Sequence, residues 1–344
     1  MNPMTTTILI SSIATGTIIT ASSHHWLMAW IGLEMNTLAI IPMISKQHHP
    51  RATEAATKYF LTQAAASAMI LFASTMNAWQ TGTWDIINMT NPTANMLFTI
   101  ALAMKLGLAP MHFWLPEVLQ GSTMKTALII VTWQKLAPMA LIFTTSNNLS
   151  TTALLATAMI STLLGGWAGL NQTQTRKIMA YSSIAHLGWM AAITTIMPSI
   201  LILNLTLYLL MTTSMFFTLI LLNSKNIKDM ATSLTTSPTI TASAMMTLLS
   251  LGGLPPLTGF MPKWLILEEL TMQNFTPTAM ILAMSALLSL FFYLRLSYTS
   301  TITLSPNTTT TKYKWRFKPT TNPTMLTLTL PMSLLFLPIS PMLC

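Results

Sequence analysis

Runs of about 20 mostly apolar residues, the length a helix needs to cross a hydrocarbon core, recur along this chain with short polar joints between them. The pattern predicts eleven spans, at 3–21, 26–45, 57–79, 94–116, 124–145, 151–170, 178–196, 199–222, 239–267, 276–298 and 323–343. A buried soluble core also produces apolar runs, but not eleven in succession. Composition agrees: 52% of the 344 residues are hydrophobic and 7% charged, against about 25% charged in soluble domains. The predicted fold class is an all-α membrane protein.

Charge sharpens the picture. A net charge of +9 ordinarily points to nucleic acid or an anionic membrane as partner, but here it is spread over short joints and reads as an orientation signal. Thirteen of the sixteen Lys and Arg residues fall in the joints after even-numbered spans or within four residues of them: Lys46, Arg51 and Lys58; Lys125; Arg176 and Lys177; Lys225 and Lys228; Arg295, Lys312, Lys314, Arg316 and Lys318. Joints after odd-numbered spans carry none. The positive-inside rule then places the N-terminus and all five basic joints in the inner compartment, with Cys344 outside. A wrong count of spans would scramble this pattern.

Cys344 is the one cysteine, which excludes a disulfide framework or thiolate metal site. The opening MNPMTTTILI runs into apolar sequence without basic residues, so no cleaved leader is expected. Met is abundant at 29 residues, while Val118 and Val131 are the only valines. Thr is frequent and can bond its hydroxyl back to helix carbonyls. This bias resembles animal mitochondrial genomes, in which a codon otherwise read as Ile specifies Met.

Two spans are interrupted in the same way, by Lys105-Leu-Gly-Leu-Ala-Pro110 in the fourth and Leu251-Gly-Gly-Leu-Pro-Pro256 in the ninth, with Lys263 downstream. They lie five spans apart. An odd offset reverses the orientation of the second set, so the pattern predicts inverted repeats over 1–145 and 151–298, with breaks near 105–116 and 251–263. A basic loop at 299–322 and a last span at 323–344 complete the chain. Each break taken alone also fits an ordinary proline kink, which is tolerated at membrane depth where protein or water satisfies the freed carbonyls.

Lys105, Lys135 and Lys263 fall inside apolar spans, where a lysine costs roughly 2.5–3.5 kcal/mol on insertion scales. Glu34 lies mid-span in a fourth. A carboxylate and lysines at such depth can act as a proton relay, or they can form a static ion pair or a neutral packed carboxyl. One central acid cannot pair with three lysines at once. His112, just past the first break, and His186, mid-span, are candidate secondary relay groups or hydrogen-bonded packing residues. Glu117 is an interfacial carboxylate or a lateral contact to a partner. The pairs His24–His25 and His48–His49 lack further ligands, so no metal site is expected. Gly165-Gly-Trp-Ala-Gly169 fits small-residue helix packing. No phosphate loop, dinucleotide fingerprint or haem-ligand pattern occurs.

Three segments carry a resemblance: Lys105-Leu-Gly-Leu-Ala-Pro-Met-His-Phe-Trp-Leu-Pro-Glu117, Gly169-Leu-Asn-Gln-Thr-Gln-Thr-Arg-Lys177 and Leu251-Gly-Gly-Leu-Pro-Pro-Leu-Thr-Gly-Phe-Met-Pro-Lys263-Trp. With the opening Met-Asn-Pro, the chain resembles the subunit 2 family of animal mitochondrial NADH–ubiquinone oxidoreductase, respiratory complex I. That family is similar to membrane subunits of multi-subunit Na+/H+ antiporters. The resemblance implies two inverted five-helix repeats, each with a broken helix, plus a C-terminal helix, beside similar subunits in the mitochondrial inner membrane. It implies proton translocation coupled to electron transfer from NADH to ubiquinone. Glu34 would face Lys105, Lys135 would sit centrally, and Lys263 would lie toward the exit, with His112 and His186 along the polar axis. It assigns NADH, FMN, iron–sulfur clusters and ubiquinone to other subunits and no cofactor to this chain. A stand-alone cation/proton antiporter and a structural spacer between pumps remain as alternatives.

Overall fold

The computed structural model describes residues 2–47, 49–301 and 323–338. The expectations on His48, on Lys312, Lys314, Arg316 and Lys318, and on Cys344 lie outside the described residues. What is described is helical, and the two β-bridges among the described residues, His25 with Asp85 and Gln174 with Asn226, are isolated.

The helices run α1 (Pro3–Ser22), α2 (Trp26–Ile44), α3 (Pro50–Thr81), α4 (Pro92–Leu106), α5 (Trp114–Gly121), α6 (Met124–Val131), α7 (Trp133–Thr144), α8 (Thr151–Gly169), α9 (Thr175–Ile193), α10 (Pro198–Leu222), α11 (Ile227–Thr236), α12 (Pro238–Gly252), α13 (Phe260–Met272), α14 (Thr276–Thr301) and α15 (Thr324–Leu334). Seven stretches among the described residues are long and apolar enough to cross a membrane: α1, α2, α3, α6 with α7, α8, α10 and α14. Their outward faces are apolar, with Trp79 at 87% and Trp167 at 70% exposure, as a lipid-facing surface requires. The Thr and Ser hydroxyls are absorbed locally, as expected: Thr17 donates to the Ala14 carbonyl at 2.8 Å and Thr212 to the Tyr208 carbonyl at 2.7 Å.

The described helices differ from the expected spans in where several begin and divide. α3 begins at Pro50 rather than near 57, because His49 caps it and Pro50 occupies its first turn. The segment over 124–145 is divided at Thr132, whose hydroxyl turns back to the Leu128 carbonyl. The short helix α11 stands where a joint was expected. Ile227, Met230, Ala231 and Leu234 share one face of it at helical spacing, and Met230 is fully buried.

The chain separates into two compact units, Met1–Ser161 with Ala191–Pro198, and Thr162–Met190 with Ser199–Cys344. In the first, α1 and α2 approach through glycine. A Cβ on Gly16 would fall 2.4 Å from Asn36 Oδ1 and 2.9 Å from the Gly32 carbonyl oxygen, and one on Gly32 would fall 2.8 Å from the Gly16 oxygen. Gly16→Ala is therefore expected to push α1 off α2 at a cost of about 1–3 kcal/mol. A thermal-denaturation midpoint several degrees lower would register it, and an unchanged midpoint would contradict the close approach. In the second unit, Gly165 packs against the Ala185 and Tyr181 backbone and Gly169 against the Phe292 ring. The expected small-residue packing of α8 thus takes place on α9 and α14.

Candidate functional site

Both interrupted spans break by the same device. α4 ends at Leu106, and Gly107 adopts the left-handed conformation (φ +76°) that only glycine takes without strain. Its N–H returns to the Ala103 carbonyl at 2.9 Å, as does that of Leu108. α12 ends at Gly252, and Gly253 (φ +79°) repeats the turn, with its N–H to the Ser250 carbonyl at 2.9 Å and Leu254 N–H to the Leu249 carbonyl at 3.4 Å. Pro110 and Pro256 follow at the same distance and both peptides are cis. These caps satisfy part of each helix end and leave the carbonyl just before the glycine without an intrahelical partner.

A lysine takes that carbonyl in each unit. The Lys135 amine, from α7, donates to the Leu106 carbonyl, and the Lys263 amine, from α13, donates to the Gly252 carbonyl at 2.8 Å. Leu106 and Gly252 occupy the same position relative to their capping glycines. A helix C-terminus carries roughly half a negative charge, so each ammonium is held by a dipole and a neutral oxygen rather than by a carboxylate. Gly253 leaves the space for this contact, since a Cβ there would fall 2.9 Å from Lys263 Nζ.

In the first unit, Lys105 and Lys135 line one small cavity of about 10 Å³ together with Asn36, Thr37, Tyr59, Gln63, Trp114 and Gln134, about the space of one water molecule. Lys135 is 1% and Lys105 5% exposed. The Lys135 amine lies 5.4 Å from the Trp114 ring centroid, and Trp114 Nε1 donates to the Met104 carbonyl at 3.2 Å. Tyr59 stands edge-on to Trp114 and donates to Gln134 Oε1 at 3.4 Å, while Gln134 Nε2 donates to the Asn36 carbonyl. Lys105 Nζ and both side-chain polar atoms of Asn36 are buried without a hydrogen-bond partner.

Glu34, on α2, is half-buried and accepts from the Thr37 hydroxyl at 3.1 Å. No ion pair joins it to Lys105. The ion pairs among the described residues belong to Lys58, which bridges Glu54 at 2.5 Å and Glu117 at 2.6 Å. Glu117 thus has a partner within this chain, on an exposed face of α5. His112 is buried against Phe113, with ring centroids 4.4 Å apart. His186, in the second unit, lies 3.5 Å from the Tyr293 hydroxyl. Lys263 also borders an apolar groove with Trp189, Phe260, Trp264 and Leu287. No cluster of three or more metal-binding side chains occurs among the described residues.

Sequence reasoning did not single out Asn36, Tyr59, Gln63, Trp114 or Gln134. Their signal was present, since amides in apolar spans are as costly there as the lysines are conspicuous. Which amide met which lysine depended on how three helices pack.

Known proteins resemble this chain in both sequence and fold. Residues 23–291 match the family model described as NADH:quinone oxidoreductase/Mrp antiporter, transmembrane region, and residues 290–344 that of the NADH dehydrogenase subunit 2 C-terminus. NADH-ubiquinone oxidoreductase chain 2 of Xenopus laevis is 56% identical over 342 residues, covering 99% of each chain. A chain of respiratory complex I from Thermus thermophilus superposes with a TM-score of 0.85 at 26% identity, over 99% of this chain and 80% of that one. A chain of the Mrp complex from Dietzia sp. superposes with a TM-score of 0.80 at 16% identity, over 87% and 61%, a likeness of fold.

Proposed function

Because this chain belongs to the NADH-ubiquinone oxidoreductase chain 2 family, we propose that its buried lysines and Glu34 load and release protons in step with electron transfer elsewhere in the enzyme. It is a membrane-arm subunit of complex I, working beside other subunits of that assembly to translocate protons. The NADH, FMN, iron–sulfur clusters and ubiquinone reside in those other subunits, and this chain carries no redox centre. Its spans number eleven, in two inverted five-helix repeats over 1–145 and 151–298 plus a last helix. α4 with α5 and α12 with α13 form the broken spans. The N-terminus and basic joints face the mitochondrial matrix.

One observation carries the reading: Lys135 and Lys263 are each held by the carbonyl that a broken helix leaves open, not by an acid. A lysine locked in a buried salt bridge keeps its proton, because separating that pair costs several kcal/mol. A lysine held by a neutral oxygen can exist as ammonium or amine without stranding a partner charge. Glu34 and Lys105 add the variable element, a carboxylate and a buried amine that no ion pair joins. A change of charge reaching Glu34–Lys105 alters how tightly Lys135 holds its proton, and then Lys263. Protons load from the basic side and leave on the other, with His112 and His186 as secondary carriers.

Lys263→Ala and Glu34→Gln are expected to lower the number of protons moved per electron in coupled vesicles while the complex still assembles. Normal stoichiometry in both variants would sink the assignment. The same measurement excludes or admits a mere spacer, which predicts impaired assembly at unchanged stoichiometry.

A further inference from the structure

In the second unit, two joints that end apolar helices are tied into one rigid platform. The joint from α8 to α9 meets the joint from α10 to α11 through backbone bonds, Thr175 N–H to the Lys225 carbonyl and Ile227 N–H to the Thr173 carbonyl, both at 3.1 Å. The Thr175 hydroxyl adds bonds to the Ser224 carbonyl at 3.1 Å and the Lys225 carbonyl at 3.0 Å. From α14, the Arg295 guanidinium donates to the Leu170 and Gln172 carbonyls and so clamps the first joint. α11 packs on α14 and α12 and fixes the second.

The platform presents Lys177, half-exposed, with Lys225 and Lys228, both exposed, and Arg176 adjoins Lys177. Among the described residues none of the three lysines makes an ion pair. The acid within these joints is Asp229, and its carboxylate is spent on the backbone N–H groups of Lys225 and Asn226, both at 2.9 Å. The other acids of this unit, Glu268 and Glu269, lie toward the start of α14, the opposite end from Arg295. The platform terminates α8 and α10, both long and apolar enough to cross a membrane, so it stands at headgroup level.

We propose that Lys177, Lys225 and Lys228 form a preorganised site for the phosphate headgroup of an anionic phospholipid on the basic side of the membrane. Flexible lysines on a mobile loop would lose entropy on capturing a phosphate. Here the backbone that carries them is already fixed, which lowers that cost. The headgroup depth selects a lipid over a soluble anion, and each lysine near an anionic surface adds a comparable increment of attraction.

The test uses the intact complex in phosphatidylcholine vesicles titrated with a photoactivatable phosphatidylglycerol, with cross-links mapped by peptide mass spectrometry. Labelling should concentrate in 170–177 and 223–232, yield to unlabelled phosphatidylglycerol, and resist both phosphatidylcholine and inorganic phosphate. The double variant Lys225→Gln/Lys228→Gln should weaken the apparent affinity about 30-fold, whereas Lys125→Gln should leave it unchanged. Any of four results overturns the proposal. They are labelling indifferent to headgroup charge, labelling unchanged in the double variant, displacement by inorganic phosphate, or labelling that falls outside 170–177 and 223–232.

Discussion

Replacing Lys135 by Met is expected to leave an assembled complex whose coupled proton transfer is slowed at least about 100-fold, the lower end of what a positioned acid–base group contributes. Met preserves the apolar stem and most of the volume at a position that is 1% exposed, so packing against Trp114 survives. What disappears is the proposed proton carrier and the donor to the Leu106 carbonyl, and an unpaired buried carbonyl costs about 1–3 kcal/mol. Lys135→Arg separates those two losses. Arginine can still donate to Leu106 but does not deprotonate in proteins, so that variant should recover assembly and thermal stability without recovering proton transfer. Measuring protons per electron beside the amount of complex on native gels distinguishes them. Proton transfer restored by arginine would mean that Lys135 serves only as a structural charge.

The second large effect is structural. At Gly259 the two halves of the second broken helix come together, and a Cβ there would lie 1.8 Å from the Ser250 carbonyl oxygen and 2.8 Å from its carbon. Backbone cannot yield as a side chain can. Gly259→Ala should therefore cost about 3 kcal/mol or more, at or beyond the upper end for an added methyl group. Much of the marginal stability of a folded unit is of that order, so assembled complex should fall sharply on native gels. Gly82→Ala is the matched control: its φ is +71° but nothing lies within 4 Å of an added Cβ, so only backbone strain of about 1–2 kcal/mol applies. Equal assembly of the two variants would show that the break tolerates more room than the structure provides.

The contrast between these positions shows what could be read from the chain. Gly107 and Gly253 were visible as breaks because glycine and proline punctuate apolar runs, and that signal is local. Lys105, Lys135 and Lys263 were visible because a charge in an apolar run is costly and needs a reason. How each lysine is held was not visible. Lys135 finds its acceptor 29 residues away in sequence, at Leu106, and no periodicity encodes which helix end faces which amine. The expected facing of Glu34 and Lys105 came from resemblance. The structure joins the two by no ion pair, and Thr37 stands on the carboxylate instead. Asn36, Gln63 and Gln134 escaped notice for a related reason, since a neutral amide in a span becomes informative only when the packing of α2, α3 and α7 directs it into a shared cavity. α11 escaped because ten residues are too few to register as a span, although its apolar face is regular.

The account stands or falls on whether these buried amines change protonation during turnover. Infrared difference spectroscopy of the complex with lysine nitrogens isotopically labelled, recorded as NADH drives it, observes this directly. The account predicts turnover-dependent, isotope-shifted ammonium bands that diminish in Lys135→Met. Lysine bands that stay constant through turnover, or a difference spectrum that is identical in the variant, would contradict it.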